Sequence, residues 1–267
     1  ADFLVSYRDE QTGLPLPSYD LWEERRGILS FTTATVYGGL IAAANISDIF
    51  HHTDKAKTYR QAAAQIKKAI DQYLYSEEHK RFLRMIYPKK DGGFDCDATI
   101  DASLYGMFAF GVYDPHDVKV QNTMKAIEEA LWVKTKIGGI ARYEHDSYQR
   151  VGGDGDIPGN PWIICTMWVA QYYVAIAKTP EDLERVINYL RWAVSHALPS
   201  GVLAEQINPY TGAAISVSPL TWSHAAVVQT VMDYLEKLQE LHTCGQCGQS
   251  MFRYDRMGRQ RGKKHED

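Results

Sequence analysis

The chain has 267 residues, 45% of them hydrophobic, with a formal net charge of −4. That is enough apolar material for a real core in one large domain or two small ones, and it argues against global disorder. No basic stripe suits nucleic acid, and no apolar run reaches the roughly 18 residues of a membrane span, so neither class of partner is expected.

The opening stretch ADFLVSYRD reads as the end of an apolar helix with no start signal before it. With Ala1 in first place, the expectation is the C-terminal portion of a longer protein whose N-terminal half lies elsewhere. Residues 30–50 are rich in Ala, Gly and branched apolar residues and predict a buried helix. Thr53 and Asp54 then offer an N-cap, and Tyr59, Ala62, Ala63, Ile66, Ile70, Tyr73 and Leu74 follow helical spacing on one face. The couple recurs twice. Residues 98–111 predict a second buried helix, followed by a cap at Asp114-Pro115 and an amphipathic face of Val120, Met124, Ile127 and Leu131. Asn160-Pro161 opens a third buried helix, and Thr179-Pro180-Glu181-Asp182 resembles a capping box before Leu183, Val186, Ile187, Leu190 and Val194. A last apolar helix covers about 220–241, and short strands are expected only near 81–87 and 140–143.

Buried and amphipathic helices thus alternate at a spacing of about 60 residues. Helical hairpins that cannot each bury their own face imply a solenoid or a closed α/α toroid. The expected fold class is all-α, and seven helices plus a stub fall short of the twelve that a closed ring of six hairpins needs. Four polar stretches each precede a buried helix: YDLWEERRG, DGGFDCD, ARYEHDSYQR with its following GNPW, and GVLAEQINPYTG with its following TWSH. In a hairpin toroid such loops emerge at one end, in one bowl.

Glu23 and Glu205 stand in two of these loops. Paired carboxylates suit glycoside hydrolysis, one as acid and one as base or nucleophile, although Glu residues beside helices also serve as caps. Arg142 could hold sugar hydroxyls or a neighbouring carboxylate. Trp162 and Trp222 could stack on sugar faces or belong to the core. Cys244 and Cys247 form one C-x-x-C near His242 and His265, a weak zinc candidate beside the two pairs such a site usually has. The composition suggests no disulfide scaffold, so a reducing, cytoplasmic setting is expected.

The motifs YDLWEERRG…SFTTATVYGGL, GIARYEHDSY, GNPWIICTMWVAQ and GVLAEQINPYTG…SPLTWSHAAVV, in that order, resemble the glucoamylase-type family of inverting glycoside hydrolases. The resemblance spans about residues 1–241 and implies the later part of an (α/α)6 barrel, with 242–267 a polar, basic tail. It implies release of glucose from non-reducing ends of α-glucans and maltooligosaccharides, without a cofactor. By motif, Glu23 would be the general acid and Glu205 the general base. Tyr19, Asp20, Trp22, Glu24, Arg142, Glu144, Trp162 and Trp222 would bind the sugar, with Trp22 as a wall beside the acid. The earlier barrel helices, which in the family carry an Arg-Asp pair and a Trp of the sugar pocket, have no counterpart here. A trehalase or dextran-type exoglucosidase on the same scaffold is an alternative, and so is a non-catalytic glycan-binding or regulatory module. The presence of both Glu23 and Glu205 disfavours the last.

Overall fold

The computed structural model describes residues 1–90, 92–152, 157–242, 253–254 and 260–261. The chain falls into two compact units. One comprises Ala1–Trp132, Arg142–Asp146 and Asp154–Gly159; the other comprises Val133–Ala141, Ser147–Gly153 and Asn160–Asp267.

The first unit opens with α1 (Asp2–Ser6), β1 (Ser18–Tyr19) and β2 (Arg26–Leu29). Then α2 (Ser30–Ile49) and α3 (Thr53–Ala69) pack as a helical hairpin. The start of α2 is pinned to the neighbouring segment, where Ser30 donates its hydroxyl to the Leu83 carbonyl at 2.5 Å. The inner face of α3 is the predicted one, with Ala56, Tyr59, Ala62, Ala63, Ile66 and Ala69 buried. A π-helical turn (Ile70–Leu74) continues it and buries Ile70 and Leu74. Each such side chain withdrawn from water contributes about 1.5–3 kcal/mol.

Two expectations for this region change. Thr53 and Asp54 do not cap α3, which begins at Thr53 after His52 and without a side-chain cap. Nor is α2 buried all round: Ile46 and Ile49 are 56% and 72% exposed, because α3 and its other described neighbours cover only part of its surface.

Next come β3 (Tyr75–Ser76), β4 (Arg81–Phe82), β5 (Met85–Pro88) and β6 (Phe94–Asp97). The order β1-β2-β5-β6 makes a small antiparallel sheet. The helix expected over 98–111 is mostly absent. Residues 98–100 form no regular element, Asp101 is extended, and only a 3-10 turn (Ala102–Tyr105) and the single-turn α4 (Gly106–Ala109) follow. Asp97 and Asp101 accept the backbone N–H groups of Thr99 and Ser103, each two residues on, an arrangement that competes with helix. Then α5 (Val118–Leu131) begins one turn later than predicted. Asp117 caps it through the Lys119 N–H, while Asp114 accepts from His116.

The second unit contains β7 (Ile140–Ala141), β8 (Pro161–Trp162), α6 (Ile163–Ile176), a 3-10 turn (Glu181–Leu183) and α7 (Glu184–Ser195). It continues with β9 (Gln206–Ile207), β10 (Ala214–Ile215) and α8 (Thr221–Leu241). Beyond α8, β11 (Arg253–Tyr254) pairs antiparallel with β12 (Gln260–Arg261). Helix α6 is buried at every position from Ile163 to Ala170 and packs against α7 and α8. Asn160-Pro161 does not open it directly, since Pro161 and Trp162 form a strand first. The capping box is present: Asp182 accepts the N–H groups of Lys178 and Thr179 at 2.9 Å, and the Thr179 hydroxyl accepts from Asp182 at 3.4 Å. A second antiparallel sheet has the order β10-β9-β8-β7. Gly139, at φ +90°, leads into it. A Cβ there would stand 2.4 Å from the Trp192 ring and 2.7 Å from Pro161, so only glycine fits.

Candidate active site

In the first unit, the loop between β1 and β2 is a closed turn built on Asp20. Its N–H donates to the Arg25 carbonyl at 2.7 Å, its carbonyl accepts from Glu23 at 3.1 Å, and its Oδ1 accepts from the Glu24 N–H at 2.8 Å. Tyr19, on β1, is exposed and pairs in register with Arg26. At the tip, Glu23 has φ +59°. A non-glycine residue in that region costs on the order of 1–2 kcal/mol, so the rest of the turn must hold it there. Its side chain is exposed and accepts no hydrogen bond from any described residue.

Glu24 is held on every side. Its Oε1 accepts from Arg142 Nη2 at 2.7 Å; its Oε2 accepts from the Tyr143 hydroxyl at 2.6 Å and from Arg25 Nη1 at 2.8 Å. Burial pushes this carboxyl up, but those hydrogen bonds and the Arg142 charge together bring it below its ordinary value. Arg142, itself 3% exposed, holds Asp146 with a fork: Nε donates to Oδ2 at 2.9 Å and Nη2 to Oδ1 at 2.7 Å. The Tyr143 ring has the guanidinium carbons of Arg25 and Arg142 at 4.7 Å and of Arg84 at 5.5 Å. Burial, and then the bond to Glu24, raise the Tyr143 hydroxyl, which keeps it a donor. Arg84 in turn pairs with Asp97, whose carboxyl burial raises while the Arg84 and Thr99 hydrogen bonds bring it below its usual range.

Trp22 is buried. Its Nε1–H donates to Asp101, at 3.0 Å to Oδ2 and 3.3 Å to Oδ1, and the Arg142 guanidinium lies 5.1 Å from the ring centroid. Glu144 is occupied by the backbone: its Oε2 accepts the Ile100 N–H at 2.7 Å.

In the second unit, Glu205 directly precedes β9, its N–H donating to the carbonyl of Val217, two residues past β10, at 3.0 Å. Its Oε2 accepts from the Ser216 hydroxyl at 2.6 Å and from Gln206 Nε2 at 3.0 Å. Gln206, fully buried, accepts from Asn160 Nδ2 at 2.8 Å, and that amide also donates to the Gln149 carbonyl. A relay of neutral amides therefore fixes which face Gln206 turns to Glu205. Trp162 is buried beside Tyr148. Trp222, in the first turn of α8, is 37% exposed and packs edge-on to Trp168.

The first unit thus brings together Asp20, Trp22, Glu23, Glu24, Arg142 and Glu144, with Tyr19 at the rim; Trp162, Glu205 and Trp222 belong to the second. Sequence reasoning missed Asp101, which looked like one polar residue in an apolar helix, and Ser216, which had no motif around it. Among the described residues no group of three or more His, Cys, Asp or Glu is placed to hold a metal ion. Cys244, Cys247 and His265 lie outside the described residues, and the ring of His242 bonds the Leu238 carbonyl at 2.8 Å.

The family model described as glycosyl hydrolases family 15 matches residues 13–232. The chain belongs to this family. It is 32% identical over 219 residues to an uncharacterized glycosyl hydrolase of Methanocaldococcus jannaschii, covering 78% of this chain and 33% of that protein. It is 28% identical over 251 residues to a glucoamylase of Clostridium sp. strain G0005, covering 85% and 34%. In fold it is similar to a bacterial glucoamylase complexed with acarbose, with a TM-score of 0.72 and 24% identity over 88% of this chain and 37% of that one. The expected (α/α)6 class is the fold of these glucoamylases. The chain spans about a third of the length of each of these relatives. No described helix is long and apolar enough to cross a membrane.

Proposed function

We propose that the protein carrying this chain is an exo-acting α-glucosidase that releases glucose from the non-reducing ends of α-1,4-glucans by single displacement. Glu23 protonates the glycosidic oxygen as the bond to the anomeric carbon breaks. Glu205 takes a proton from a water that attacks that carbon from the opposite face, so the product has the inverted configuration. Glu24, Arg142 and Tyr19 bind the terminal sugar.

The observation that carries this reading is the contrast within one turn. Glu24 is gripped by two guanidiniums and a phenol, while Glu23, next to it and held at φ +59°, keeps an exposed carboxyl with no partner among the described residues. A sugar ligand gains from being fixed as an anion; a proton donor must stay able to change state. Glu205, held by a hydroxyl and an amide rather than by a cation, suits a base.

The test is hydrolysis of maltotriose, trehalose and isomaltose by the full-length natural protein, with the first product anomer read by NMR. We expect β-glucose from maltotriose, and a loss of about 10²–10⁴-fold in Glu23→Gln and in Glu205→Gln. Preference for trehalose would move the substrate within the same chemistry. No cleavage of any of the three would favour a glycan-binding module instead, and a Glu205→Gln variant that keeps most of its rate would remove Glu205 from the role of base.

A further inference from the structure

We propose that Asp101 is a positioning residue for Glu23, acting through the indole of Trp22. The inference rests on the reading of Glu23 as the proton donor. Asp101 is 1% exposed, and among the described residues it has no ion-pair partner. Burial raises its carboxyl above the ordinary value, against the hydrogen bonds of Ser103 and Trp22. An acid in such a place is costly, and packing alone would be served as well by an apolar side chain. What a carboxyl adds is two acceptor oxygens, and both are used: Oδ1 takes the Ser103 N–H of its own turn at 2.8 Å, and the pair of oxygens takes the Trp22 indole from 79 residues away.

The platform under Asp101 is rigid. Its backbone forms a bridge with Tyr143, flanked by hydrogen bonds from Ala102 to the Arg142 carbonyl at 2.9 Å and from Glu144 to the Ile100 carbonyl at 3.1 Å. Glu144 also reaches back to Ile100 with its carboxylate. Trp22 is therefore held at its edge by Asp101 and covered on its face by Arg142. The turn at residues 20–25 is tied outward by the two side chains that flank Glu23: Glu24, held by Arg142, Tyr143 and Arg25, and Trp22, held by Asp101. Releasing the indole lets the strained residue at the tip relax. A displacement of about 1 Å at a reacting group can cost on the order of a hundredfold in rate.

The experiment compares wild type, Asp101→Ala, Asp101→Asn, Trp22→Phe and the Asp101→Ala/Trp22→Phe double variant in the full-length protein. Each is assayed on maltotriose, whose leaving group needs a proton, and on α-glucosyl fluoride, whose leaving group does not; melting temperature is recorded in parallel. We expect Asp101→Ala to lose about thirtyfold to a hundredfold in kcat on maltotriose and only a fewfold on the fluoride. Asp101→Asn, which keeps an acceptor for the indole, recovers most of that loss. The double variant is no slower than the slower single one, because both cut the same connection. Equal slowing on the two substrates, or a double variant whose losses multiply, overturns the proposal and leaves Asp101 a packing residue. If the wild type hydrolyses neither substrate, the glucosidase reading itself fails and this inference with it.

Discussion

The two units hold their carboxylates by opposite means. Around Glu24 the donors are charged and the geometry is forked: Arg142 bridges Glu24 and Asp146, and Arg25 closes the other side. Around Glu205 every donor is neutral, a serine hydroxyl and a glutamine amide whose orientation is set by Asn160. The first arrangement commits a carboxylate to being an anion. The second aims a carboxylate with neutral donors alone. Residue type is the same in both places; the partners decide what the group can do.

Breaking the charged network should have the largest effect. Arg142→Leu removes the fork from Asp146, 1% exposed, and the bond to Glu24, and breaking a buried ion pair from one side typically costs about 3–5 kcal/mol. Urea denaturation at pH 7 measures it, and a loss under about 1 kcal/mol would show that the Arg142 fork adds little to stability. In the neutral cluster the effect should fall on rate instead of stability. Ser216→Ala is expected to lower kcat about tenfold, with stability changed by about 1 kcal/mol or less. An unchanged rate would mean that Gln206 alone orients Glu205.

The pH dependence sharpens the same contrast. Because the folded Glu24 and Asp97 carboxyls lie below their usual values, what their ionised forms contribute to stability is present at neutral pH. It is lost as pH falls through and below the ordinary carboxylate range of about 4. The stability gap between wild type and Glu24→Gln should therefore narrow from pH 6 to pH 3; a constant gap would place its origin in shape, not charge. The smallest expected effect is far from either cluster. Asp182→Ala removes the capping box ahead of α7 and should cost about 1 kcal/mol, read as a lower melting temperature with unchanged activity.

Much of this was legible in the sequence because it is periodic. The faces of α3 and α5, the apolar run of α6 and the capping box before α7 each follow from spacing or from a local hydrogen-bonding motif. The failures share a cause as well. The segment 98–111 is apolar enough for a helix, yet Asp97 and Asp101 divert the backbone into turns, and no periodicity reports a competing side-chain bond. Strands of two residues, such as β1 and β9, are too short to alternate visibly. Glu23, Glu24 and Arg142 stood out because charge was dense around them. Asp101 and Ser216 did not, since their roles arise from partners 79 and 11 residues away.

The left-handed backbone at Glu23 sets selection for robustness against selection for chemistry at a single codon. Glycine there would relieve the strain, and a library sorted only for thermal endurance should enrich Glu23→Gly, with a gain of up to about 1 kcal/mol. A library sorted on growth that depends on glucose release should discard it. With Glu23 as the proton donor proposed above, hardening this protein by survival alone would silence it at this residue.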